Sequence, residues 1–129
     1  MAAAYESHPH HRNGNPKKSQ WIITEREEEA VFRHAEAVGW VDARAAWGFH
    51  PPGVNPPRQC GWGVVRTERL YLAKFVKPRN SRVWHGWPAQ PERKPGDIPT
   101  PAIRAKWLTD LPVSAPKLRK LFRGQPCLP

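Results

Sequence analysis

The side chain whose neighbours best suit it for chemistry is His85. It lies in the string Trp84-His85-Gly86-Trp87-Pro88, directly after Arg79, Asn80, Ser81 and Arg82. An imidazole titrates near neutrality and can both take up and release a proton. A neighbouring guanidinium can stabilise the charge that builds on phosphorus during attack. The combination suits metal-independent cleavage of RNA, as by a toxin, with His85 as acid or base. The competing reading is structural: a histidine between tryptophans, with Gly86 making a turn, locks a strand end by hydrogen bonding. Spacing selects no second catalytic group, and His34, His50 and Glu68 are the candidates.

A second group lies near the C-terminus. Lys117, Arg119, Lys120 and Arg123 flank an apolar stripe of Leu118, Leu121 and Phe122, and Arg104 and Lys106 precede them. With Arg79, Arg82 and the flat rings of Trp84 and Trp87, these cations form the candidate nucleic-acid contact. Cations would track phosphates and an exposed tryptophan would stack on a base. Two short helices, the second basic, suggest a helix-turn-helix, although the connector from Thr109 to Pro116 is longer than that motif's turn.

The charge distribution supports a polyanionic partner. Residues 1–42 carry a net charge of −2 and residues 43–129 a net +12, which together make the +10 of the chain. Such an excess is the footprint of a nucleic-acid-binding surface, RNA in preference to DNA, contacted through phosphates. The alternative is an accessory subunit or an inhibitor that binds an acidic protein, with residues 1–19 as a gripping segment. The two basic clusters, 79–82 and 117–123, are expected to meet on one surface, and divided charge would weaken both nucleic-acid readings.

Other chemistries are poorly served. His8, His10 and His11 could attract a divalent ion, but they sit in a polar segment without fixed geometry, and Cys60, Cys127, His50 and His85 lack paired ligand spacing. No metal or cofactor is expected, and no glycine-rich phosphate loop is present. Two cysteines make no disulfide framework, which points to reduced thiols and a cytoplasmic setting. No apolar run is long enough for a membrane span.

From about residue 75 to 127 the chain resembles small, uncharacterised bacterial proteins. They share an aromatic-His-Gly-aromatic-Pro string, a proline-rich connector and a final basic helix like Leu118-Arg119-Lys120-Leu121-Phe122-Arg123-Gly124. The resemblance implies no activity.

The elements that must position these residues follow from pattern. Residues 1–19 read as a flexible polar tail, and 20–127 as one basic domain. Thr24 and Glu27 match a capping box, with Val31, Ala35 and Val38 on one stripe and Gly39 as a stop, so a helix is expected over 25–38. Its acidic run, Glu25 and Glu27 to Glu29, reads as a solvated, dipole-compensating face. Residues 40–49 are ambiguous and 50–61 are a loop. Strands are expected at 62–65, 70–77 and 81–85. Both faces of 70–77 are mostly apolar, so that strand should lie centrally with helices on either side. Residues 88–99 read as an extended, polyproline-like connector. Thr100-Pro101 and Ser114 then cap two short helices. Trp40, Trp62 and Trp107 are assigned to the core, and at least one of Trp84 and Trp87 to the surface. The expected fold is α+β: a small antiparallel sheet of about three strands, covered by one N-terminal helix and two short C-terminal helices.

Overall fold

Thr24 opens the first helix as its sequence demands. Its hydroxyl accepts from Glu27 N at 3.0 Å, and the Glu27 carboxylate accepts from Thr24 N at 2.9 Å. In a computed structural model that describes residues 3–52, 57–111 and 114–123, the elements run in the order β1 (Ala4–Tyr5), β2 (Gln20–Trp21), α1 (Glu25–Ala37), β3 (Val41–Asp42), β4 (Ala45–Phe49), β5 (Gly61–Trp62), β6 (Arg69–Leu70), β7 (Leu72–Val76), β8 (Val83–Pro88), α2 (Pro101–Asp110) and α3 (Ala115–Phe122). The fold is α+β with three helices among the described residues, and it has more strands than the sequence suggests. A five-stranded sheet has the order β1-β8-β7-β4-β3, and a three-stranded antiparallel sheet the order β2-β5-β6.

The larger sheet is mixed, because β1 pairs with β8 in parallel while the other neighbours are antiparallel. The extra strands come from two places. Residues 40–49, rich in alanine, form the β3–β4 hairpin, whose two-residue loop puts Ala43 at φ 55°. Ala4–Tyr5, read as flexible tail, supply the edge strand β1. The central position of β7 and its cover on both faces are as its apolar pattern requires.

Alternation along the strands divides the core into two layers. On one face Ala46, Ala73, Phe75 and Trp84 meet Val31 and Phe32 of α1. Close approach there requires Gly48, since a β-carbon would lie 2.9 Å from Val31 Cγ1. On the other face Trp47, Phe49 and Leu72 meet Ile103 and Trp107 of α2 and Leu118 of α3. Trp40 and Trp107 are buried as expected, but Trp62 is only half-buried on the small sheet.

Gly86 does not make a turn. It sits inside β8 opposite Phe75, and a β-carbon there would be driven into the Phe75 ring. Residues 88–99 are not an extended connector either. Pro88, Ala89, Gln90, Pro91, Asp97 and Pro99 are buried, and Pro95–Asp97 form a 3-10 turn folded back on the sheet. The expected caps hold: Thr100 Oγ1 accepts from Ile103 N at 3.5 Å and Ser114 Oγ from Lys117 N at 3.4 Å. The stop expected at Gly124, the Leu121 side chain and Cys127 lie outside the described residues.

Gly86→Ala should therefore cost about 2 kcal/mol or more through overpacking. Its denaturant midpoint should fall well below that of the wild type, and an unchanged midpoint would contradict the placement of Phe75.

Candidate functional site

The polar segment 3–19 is an arm laid across the sheet edge, where the sequence suggests a flexible tail. Its anchor is Glu28, whose side chain is fully buried. Glu28 Oε1 accepts from Ser7 Oγ at 2.8 Å and from Arg12 Nη2 at 2.7 Å, and Oε2 accepts from the Tyr5 hydroxyl. Arg12 Nη1 adds a bond of 2.8 Å to the Ile23 carbonyl. The expectation that the acidic run is a solvated face thus fails at Glu28, which points inward from α1. Burial, then the adjacent Glu28 carboxylate, raises the Tyr5 hydroxyl above its ordinary pKa, so it stays a donor. The Tyr5 ring stacks on Phe32 at 5.0 Å.

Docking the arm brings histidines together. His8 lies 4.7 Å from His10, 6.0 Å from His11 and 5.7 Å from His85, ring centre to ring centre. His85 Nδ1 is 3.0 Å from the Glu6 carbonyl and His11 Nδ1 is 2.9 Å from that of Ser19. A carbonyl only accepts, so in each ring Nδ1 carries the proton and Nε2 keeps its lone pair when the ring is neutral. His8 has the opposite arrangement: its Nδ1 accepts from His10 N at 3.2 Å. Burial, then His10, His85 and Lys18, lowers the pKa of His8. Burial brings His11 down to about 4 despite the bond to Ser19. Among the described residues, no group of three or more His, Cys, Asp or Glu side chains could hold a metal ion.

The candidate partners for His85 are engaged elsewhere. His34 meets the Trp40 ring at 5.1 Å, His50 lies 3.7 Å from Glu27 and Glu68 accepts from Arg93 at 2.7 Å. The group that reaches His85 is His8, which the sequence hides in a segment with no regular pattern.

Neither tryptophan of the string offers a free platform. Trp84 is buried, 5.2 Å from the Phe32 ring. Trp87, on the opposite face of β8, is stacked by His11 at 5.6 Å, and Lys74 Nζ lies 5.6 Å from its ring centre. The Trp87 indole N–H donates to Asp97 Oδ1 at 3.2 Å. Lys74 also donates to the Gly96 carbonyl and lies 3.9 Å from Asp97. Its burial lowers its pKa, with Asp97 opposing.

The cationic clusters do not form one face. Arg79 and Arg82 are exposed in the turn between β7 and β8. Arg123, in contrast, lies 3.9 Å from Glu92, beyond the other end of β8. The six residues of β8 separate the two clusters by about 20 Å. At the α2–α3 end, Arg119, Lys120 and Arg123 are exposed, Lys117 is half-exposed, and Arg104 lies across a shallow groove over Leu108, Leu118 and Phe122. The described residues thus define an α+β domain with an ordered arm, a histidine cluster and a basic helix pair. Comparison with protein-family models, curated proteins and solved structures finds no match.

Replacing Glu28 with Ala would strand Arg12 and two hydroxyls, a loss of about 3 kcal/mol. Urea unfolding should report it, together with faster amide exchange at Glu6, whose N–H bonds the Trp84 carbonyl. Wild-type exchange at Glu6 would show that Glu28 is not the anchor.

Proposed function

We propose that the protein is a nucleic-acid-binding module that contacts RNA in preference to DNA through phosphates, with α2 and α3 as the contact surface. The observation that carries this reading is the composition of α3. Lys117, Arg119 and Lys120 project from a helix with no acidic residue, whose Leu118 is buried on the core. The helix is thereby held with its charge outward. Arg104 and Arg123 extend the surface, while Arg79 and Arg82, at the far end of β8, are a separate contact. Sequence-independent phosphate contact needs such a surface and no base-reading geometry. Exposed Leu108 and Ile98 beside it offer apolar area to unstacked bases. We place the protein in the cytoplasm, where a buried thiol such as Cys60, pushed up to about 12 by its burial, stays reduced.

Binding of labelled single-stranded RNA should be tight at low salt and fall steeply as salt rises. The double substitution Arg119→Glu, Lys120→Glu should weaken it at least tenfold and flatten the salt slope by about 1.4. No binding at low salt, or a variant that binds like the wild type, sinks the reading. A bound partner that persists after nuclease treatment replaces it with an acidic protein.

One observation favours a second reading, metal-independent RNA cleavage: His8 supplies the second imidazole that acid–base transphosphorylation needs beside His85. His85→Ala should then abolish RNA breakdown while leaving circular dichroism intact. Equal breakdown by variant and wild type, or none by the wild type, removes this reading.

A further inference from the structure

Four imidazoles gather where the arm crosses β8, and the charged groups that act on His8 and His11 are positive. His8 is the hub, with His10, His11 and His85 around it. Lys18 bears on His8 and His11, and Lys94 on His11. The hydrogen-bond partners of the His11 and His85 rings are backbone carbonyls and, for His11, the Ser19 hydroxyl, not carboxylates. The histidine–carboxylate pair among the described residues is elsewhere, between His50 and Glu27. The nearby carboxylates are already committed: Glu28 to Arg12, Tyr5 and Ser7, and Asp97 to Trp87, Gln90 and Lys74. The Glu6 side chain is exposed.

We propose that His8, His10 and His85, with Lys18, form an oxyanion site for phosphate or a phosphodiester that takes up protons as it binds. This rests on the RNA-contacting reading and adds a second contact to it. A cluster of imidazoles with no carboxylate of its own can charge at little cost only if an anion supplies the opposite charge. Binding and protonation are then linked, each strengthening the other by the same factor. The anchored Nδ1 of His85 turns its Nε2 outward as a donor once protonated. Protonation of His8 gives up its bond to His10 N, which is long and solvent-exposed, and frees that N–H for the anion as well. His11, buried under Trp87 and held near 4, stays neutral between pH 5 and 7.5 and keeps the arm in place.

The sign of the pH dependence follows. Without an anion, the folded protein holds His8 below its ordinary pKa. An anion raises it, so affinity grows as pH falls from 7.5 toward 5.5. The test is an NMR titration of the histidine ring protons of the full chain, with and without sulfate at constant ionic strength. Sulfate keeps its charge across this range, so any proton uptake belongs to the protein. Sulfate should raise the His8 and His85 titration midpoints by half a unit or more, equivalent to about threefold tighter binding at the acid end for each ring. Hexauridylate should do the same if the site accepts phosphodiesters. A response to sulfate alone confines the proposal to free oxyanions. Unmoved midpoints with both ligands overturn it. So does faster exchange at the Glu6 amide at pH 5.5, because the cluster would then be charging by losing the arm. The Arg119→Glu, Lys120→Glu variant separates the two readings: it should bind RNA at least tenfold more weakly at pH 7.5 and keep the full sulfate response.

Discussion

A carboxylate buried on a helix is costly unless its oxygens are fully used, and Glu28 is the group around which this molecule is arranged. Its partners all come from the arm: Tyr5, Ser7 and Arg12. Satisfying one side chain of α1 therefore fixes a segment that has no core of its own. With the arm fixed, β1 can pair with β8, Tyr5 can cover Phe32, and His8 can reach His85. The ion pair also explains why an arm of this polarity is ordered. Its hydrophobic content is small, but undocking it would leave a buried charge without a counterion.

The opposite face of the sheet solves a similar problem. Lys74 lies inside the face that otherwise holds Trp47, Phe49 and Leu72. Its ammonium sits 5.5 Å from the Trp47 ring and 5.6 Å from that of Trp87. Asp97 collects the neighbouring donors: its carboxylate accepts from Trp87 and Gln90, and its carbonyl from Trp47 at 3.0 Å. The prolines of 88–99 hold this short turn against the sheet. In an unfolded setting the same prolines would favour an extended chain, and it is the buried aspartate that turns them into a folded corner.

What could be read from the sequence was what local chemistry controls. The capping box of α1, the proline and hydroxyl caps of α2 and α3, and the two-sided apolar pattern of β7 each depend on neighbours within a few positions. What could not be read depends on partners far along the chain. Glu28 looks like its neighbours Glu27 and Glu29 until Arg12 is seen beside it. Ala45 and Ala46 favour helix by propensity, yet they pair with Val76 and Phe75, and Ala46 supplies the small residue that α1 needs beneath it. Gly86 resembles a turn residue, but its role is to leave space for an aromatic ring on the adjacent strand. The histidine cluster was illegible for the same reason: three of its four members come from a segment with no periodicity. The basic residues were visible from the start, yet only the strand between them shows that they do not share one surface.

The histidine pairing has a consequence for how the molecule assembles. His85 and the Glu6 carbonyl that orients it are 79 residues apart, whereas the hairpin β7–β8 and the contact of α1 with β4 close much shorter loops. Chain entropy therefore favours building the central sheet first and seating the arm on a nearly finished scaffold. The imidazole cluster is in that sense the last part of the protein to exist and the first to be lost on local opening. A partial intermediate would carry the cations of the C-terminal helices without the cluster.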